Sequence, residues 1–105
     1  MNTKILKTLS SVFLFIFLSN ELLADQGINS DQILIGMHTD ISGPASMIGK
    51  QSVDGANMRF SEFNENGGAY GRKVKFIVED HQYTVPRAVQ AANKLLRKDK
   101  IAFMM

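Results

Sequence analysis

Asp40, Asp80 and His81 are the residues of this 105-residue chain whose types could do chemistry together. Two carboxylates and an imidazole that share a site can act as acid, base or metal ligands. The rest of the pattern argues against that use. His38 and His81 lie far apart in the chain, and no spacing typical of zinc ligands occurs. An acidic residue at the end of a strand is ordinarily a turn former or leads into a helix. No nucleophile is paired with a base in the manner covalent catalysis needs. Gly67-Gly68-Ala69-Tyr70-Gly71 has the glycine density of a dinucleotide fingerprint. That motif follows a strand and opens a helix, whereas this run ends a helix and opens a strand. The pattern predicts a binding crevice in a protein that is not an enzyme and uses no cofactor or metal.

The elements that must position these residues follow from hydropathy patterning. The run from Ile33 to Thr39 is apolar with little alternation, as in a strand covered on both faces. After a loop over 40–45, Val53, Ala56, Phe60 and Phe63 recur at helical steps while Asp54, Arg59, Glu62 and Glu65 fall elsewhere on the wheel. The spacing predicts an amphipathic helix, with Ser46 expected to cap its start and Asn66-Gly67-Gly68 to end it in left-handed backbone. Gly49 and Gly55 each cost that helix about 1 kcal/mol relative to alanine. Close approach of the sheet or of a ligand to the backbone would account for both. Lys73 to Glu79 reads as a second strand. Thr84 as N-cap, Pro86 in the first turn and Val85, Ala88, Val89, Ala92, Leu95 and Leu96 predict a second helix to about Lys98. Ile101 to Met105 begins a third strand.

Strand, helix, strand, helix, strand with connections of this length implies parallel pairing through right-handed crossovers. The fold class is therefore α/β, a three-layer, Rossmann-like parallel sheet of βαβαβ order. The carboxyl ends of parallel strands share one edge, so the segments Thr39–Pro44 and Asp80–Thr84 emerge together where open α/β sheets bind ligands. If the second and third strands flank the first, one helix lies on each face. The start of the first helix then offers N–H groups to an anion or carboxylate.

The N-terminus carries Lys4 and Lys7 ahead of an apolar block, Val12 to Leu18, and a polar break at Ser19-Asn20-Glu21. Seven apolar residues are too few to span a bilayer, which takes about 20, but they suit the core of a secretory signal. Leu22-Leu23-Ala24 supplies a cleavage point, so residues 1–24 are expected to be a signal peptide and 25–31 a polar lead-in. Without Lys4, Lys7 and Glu21 the 12 basic and 10 acidic residues become 10 and 9, a balance that gives no electrostatic case for nucleic acid. The cations Lys94, Arg97, Lys98 and Lys100 crowd the end of the second helix, where they meet its negative pole as a solvated face. The absence of cysteine excludes a disulfide framework, a zinc thiolate site and lipidation of a bacterial lipoprotein. The exported product is expected to be soluble and periplasmic.

Ile35-Gly36 to Asp40-Ile41-Ser42-Gly43-Pro44, Gly49, Gly55-Ala56, Phe63-Asn64-Glu65-Asn66-Gly67-Gly68 with Gly71-Arg72-Lys73, then Glu79-Asp80 and the 88–95 helix carry a family resemblance. Residues 32–105 resemble part of the N-terminal lobe of type I periplasmic binding proteins, in particular the branched-chain amino acid (leucine, isoleucine, valine) binding family of ABC importers. The resemblance implies two Rossmann-like lobes that close on an amino acid or similar small solute, an ABC importer permease as partner, and a monomer at full length. The family's main contacts to the ligand's carboxylate and ammonium come from loops after the third and fourth strands. One further position matches here: the residue before Gly49, often aromatic in the family and part of the ligand's side-chain wall, is Ile48. An aliphatic residue keeps that wall apolar and loses stacking area. Ser42, Gly43 and Pro44 are candidate ligand-binding residues that also shape their loop.

A sensor or regulator of the same fold, such as an amide or amino acid sensor, is the alternative from another class. A truncated, non-functional remnant is a third, since a three-stranded sheet with two helices leaves apolar faces uncovered and the chain is expected to be an incomplete fragment. The intact mass of the native product in a periplasmic extract checks the leader reading: a species starting at Asp25 is expected, and one retaining Met1 would mark an uncleaved anchor.

Overall fold

A computed structural model describes residues 25–105, and the signal peptide expected over 1–24 lies outside the described residues. Strand β1 (Gln32–Thr39) leads into helix α1 (Ser46–Glu65), strand β2 (Lys73–Asp80) and helix α2 (Val85–Asn93). One π-helical turn, Lys94–Lys98, continues α2, and strand β3 (Phe103–Met104) follows. The sheet order is β2-β1-β3 with both pairings parallel, as the crossover argument requires. β1 and β2 pair along their whole length, from Gln32 opposite Lys73 to Thr39 opposite Asp80.

The alternation of side chains along this register assigns the two helices to opposite faces. Ile33 and Ile35 share a face with Val74 and Phe76, against which α1 lays Phe60 and Phe63, the Phe60 and Phe76 rings lying 5.1 Å apart. Gly36 lies on the other face, where a Cβ would meet Ile101 and Leu95. Leu95, Ile101 and Ala91 are the buried apolar residues of this second face. Full burial of a leucine such as Leu95 is worth about 1.5–3 kcal/mol, which makes the end of α2 the centre of the core.

The third strand is shorter than the apolar run 101–105 predicts. The Ile101 amide donates to Leu95 O (3.1 Å) at the end of the π-helical turn, which takes Ile101 off the sheet and sends its side chain under Gly36. Ladder bonding begins with Ala102 N to Leu34 O (2.8 Å) and ends with Met105 N to Gly36 O (2.9 Å). Lys94 also departs from the solvated face expected for the basic cluster: its ammonium donates to Glu79 on β2 and to Asp99 (3.1 Å). The lead-in is tied down, with Gln26 donating to Leu96 O and Ile101 O and the Leu34 amide donating to Gly27 O.

The ends of α1 differ in how they are satisfied. Gly67 and Gly68, both at positive φ, close a Schellman motif in which Gly68 N donates to Phe63 O (2.9 Å) and Gly67 N to Asn64 O (3.2 Å). Ser46 does not cap the start: it is the first helical residue, Ala45 holds the cap position, and no side chain of the helix bonds there. The two internal glycines also separate. At Gly49 a Cβ would lie 1.8 Å from Asp40 O, so the close approach is made by the end of β1, while at Gly55 nothing lies within 4 Å. Gly55→Ala is therefore expected to raise the urea midpoint by up to about 1 kcal/mol of stability through helix propensity alone. Gly49→Ala is expected to lower it by more than that, because α1 must lift off Asp40. Equal effects of the two substitutions in urea melts would contradict this placement.

Candidate functional site

The last paired residues of the long ladder, Thr39 and Asp80, start two loops side by side at the carboxyl edge of the sheet. Asp80 joins them. Its Oδ1 accepts the amides of Ile41 (3.0 Å) and Gln82 (3.0 Å), and its Oδ2 accepts the Ser42 hydroxyl (2.6 Å). These donors favour the charged form and hold the carboxyl down at about 2, the Ser42 hydroxyl contributing most and the Ile41 amide next.

Asp40 is buried and turned inward. Its Oδ1 accepts the Gly43 amide (2.5 Å) and its Oδ2 the Ala45 amide (2.7 Å), while Ser46 N and Ile48 N donate to Gly43 O and Ala45 O. The carboxylate of Asp40 thus sits just ahead of α1, bonded to the amides of the loop that leads into it. Neither carboxylate is left to act as a base. Among the described residues no group of three or more His, Cys, Asp or Glu side chains could hold a metal ion.

The two histidines, distant in sequence, meet in space. His38 and His81 are 5.5 Å apart between ring centroids in an edge-to-face arrangement, and His38 Nδ1 is buried without a hydrogen-bond partner among the described residues. The parallel register accounts for the meeting: His38 is opposite Glu79, and His81 lies two residues on, on the same face. That signal was available only once the register was known. The loop after β2 holds Gln82 (φ 51°) and Tyr83 (φ 59°) in left-handed backbone, which costs about 1–2 kcal/mol per residue for side chains of this kind. His81 Nδ1 accepts the Tyr83 amide (3.0 Å), and Thr84 N donates to His81 O (3.0 Å). Thr84 precedes α2 as expected, but its hydroxyl turns to His81 O (3.3 Å) and not to the helix.

The four residues singled out from sequence all lie on this edge. Ser42 is exposed and hydrogen-bonded to Asp80, and Pro44 is exposed. A Cβ on Gly43 would lie 2.7 Å from the Asp40 carboxylate and 2.9 Å from the Gln82 carbonyl carbon, so the glycine permits the two loops to touch. Ile48 is 66% exposed on the first turn of α1, and Tyr83, which patterning did not single out, is 67% exposed on the other loop. The edge therefore combines hydrogen-bonded carboxylates with exposed apolar side chains, an arrangement able to hold a solute.

The family model for periplasmic binding proteins matches residues 32–105, and the chain belongs to that family. It is 34% identical over 73 residues to the Leu/Ile/Val-binding protein BraC3 of Rhizobium johnstonii, a match covering 70% of this chain and 20% of that protein. It is 31% identical over 83 residues to an amino acid binding protein of Pseudomonas aeruginosa, covering 79% and 20%. Among solved structures, the fatty acid ABC transporter substrate-binding protein from Thermomonospora curvata superposes with a TM-score of 0.68 at 25% identity, covering 75% of this chain and 20% of that one. The chain spans about one fifth of the length of the relatives it matches. Its three-stranded parallel sheet and flanking helices are a partial N-terminal piece of the type I periplasmic binding fold.

The Asp80 bonds give the site a definite acid response. A carboxyl held below its ordinary value of 3.8 stabilises the fold fully above that value, and the contribution is lost as pH falls from about 4 through about 2. Asp80→Asn is expected to lower the urea midpoint at pH 6, with the gap to the natural protein closing between pH 4 and pH 2. A gap that stays constant across that range would show that the carboxylate's charge is not what holds the loops.

Proposed function

We propose that this chain supplies the first part of one lobe of a solute receptor for an ABC importer, and that the solute is captured at the edge where the 40–45 and 81–84 loops emerge. The observation that carries this reading is the division of labour there: Asp40 and Asp80 are bonded to backbone amides and Ser42, while Ile48 and Tyr83 present apolar surface. Ile48 forms part of the wall for the solute's side chain, and Ser42, Gly43 and Pro44 shape the loop beside it. The solute is an amino acid of branched-chain type or a related small acid. Leucine, isoleucine and valine, named for BraC3, and the fatty acid named for the Thermomonospora curvata protein share a carboxylate and an aliphatic tail, and an aliphatic wall suits both.

The receptor is not an enzyme. It is exported by cleavage after Ala24, remains soluble and unlipidated in the periplasm, acts as a monomer at full length and hands its solute to a membrane permease.

Exchange of segments tests the assignment without relying on one lobe fragment to bind alone. Residues 32–105 are grafted in place of the matching segment of the Rhizobium johnstonii Leu/Ile/Val-binding protein, and leucine binding is followed by calorimetry. The chimera is expected to bind leucine, and Ile48→Asp within it to weaken binding at least tenfold, since a carboxylate in an apolar wall costs more than about 1.4 kcal/mol. A chimera that melts cooperatively but binds neither branched-chain amino acids nor short fatty acids would overturn the proposal.

A further inference from the structure

We propose that His81 is a pH-sensitive latch on the loop that follows β2. The Tyr83 amide donates to His81 Nδ1 at 3.0 Å, so in this arrangement Nδ1 carries no proton and the imidazole is neutral, with its hydrogen on Nε2. A protonated imidazole has donors on both nitrogens and no acceptor. The bond to Tyr83 must then break.

The bond is one of those that hold an unusual stretch of backbone. Gln82 and Tyr83 are consecutive non-glycine residues at positive φ, a conformation that persists only where the surroundings over-determine it. Three contacts do so: the Gln82 amide on Asp80, the Tyr83 amide on the His81 ring, and the Thr84 amide on His81 O, which closes the turn. Protonation of His81 removes the second. The Gln82 backbone also packs against Gly43, and its amide shares Asp80 Oδ1 with Ile41, so a released loop loosens its neighbour at the same edge.

Charged and titratable groups approach His81 from β1 and from its own loop. From β1, His38 meets His81 edge to face, with ring centroids 5.5 Å apart. On its own strand and loop the neighbours are Asp80, whose oxygens are occupied by Ile41, Ser42 and Gln82, and the exposed Tyr83. From α2, uncharged Val85 and Ala88 line the cleft beside His81, while Arg87 lines a separate cleft with Asp80. The latch is closed while the His81 imidazole is neutral and opens when Nδ1 takes a proton.

The test is nitrogen NMR on the 15N-labelled full chain. At pH 7.5 the His81 ring is expected as the Nε2–H tautomer. The protection of the Tyr83 amide from exchange, corrected for its intrinsic rate, is expected to drop about tenfold by pH 5, the loss of one hydrogen bond. His81→Asn, whose side-chain oxygen can accept the same amide at either pH, should keep the protection and flatten its pH dependence, while His38→Gln should leave that dependence in place. A His81 ring with hydrogen on Nδ1 or averaging between tautomers, protection that does not change with pH, or a pH dependence abolished by His38→Gln would each overturn the latch.

Discussion

The carboxylate of Asp80 is the group on which the crevice edge depends, because it is the one point where both loops are bonded to the same atoms. Parallel pairing brings Thr39 and Asp80 level, but it leaves the chain free to diverge at once beyond them. Asp80 prevents this by accepting from Ile41 and Ser42 on one loop and Gln82 on the other. Hydrogen bonds to a charged acceptor are roughly twice as strong as neutral ones. Half of the group's capacity is spent on backbone amides that would otherwise lack partners at a strand end. The acidic residue that by type alone suggests catalysis is therefore consumed in holding geometry.

Asp40 does related work one residue beyond β1. A helix start ordinarily gathers its free amides around a cap of its own or an external anion. Here the carboxylate of Asp40 accepts from Gly43 and Ala45, and its carbonyl lies under Gly49 with no room for a side chain. The same residue thus satisfies the loop and receives the helix. With both carboxylates committed to backbone amides and Ser42, this edge presents shape and apolar surface.

Patterning read the fold well wherever burial dictated composition. β1, β2 and α1 fall within a residue or two of their expected bounds, and α2 reaches its expected end only with the π-helical turn Lys94–Lys98, because two-sided burial writes an apolar run and one-sided burial writes a helical period. The misses have a common physical source in contacts between distant residues. Ser46 looks like a cap, but it is the first helical residue and Ala45 holds the cap position. Gly55 looks as constrained as Gly49, but only one of them meets the end of β1. Lys94 belongs to a basic cluster by sequence and to Glu79 and Asp99 by geometry. Ser42, Gly43 and Pro44 could be placed at the carboxyl edge of the sheet from topology, while Ile48 came from the family resemblance. The meeting of His38 with His81 required the register, and the left-handed backbone of Gln82 and Tyr83 has no compositional mark, since neither residue favours it.

The two faces of the sheet are held by different means, and the difference bears on the loops. The α2 face has a closed apolar core in Leu95, Ile101 and Ala91. The α1 face carries an open apolar groove between Ile33, Ile35, Phe60, Phe63, Val74 and Phe103, so burial along the middle of α1 is incomplete. Polar bonds fasten its ends instead. At the start, Asp40 binds the approach to the helix and Gly49 seats on it. At the far end, Asn64 bonds both ways to the backbone of Val74, donating to its carbonyl at 2.9 Å and accepting its amide at 2.7 Å, which also covers the free edge of β2. A helix clamped at both ends keeps its first turn, and with it Ile48, in place even where its middle is loosely packed. The position of the first turn of α1 thus follows from Asp40, Gly49 and Asn64 more than from the hydrophobic stripe that makes α1 a helix.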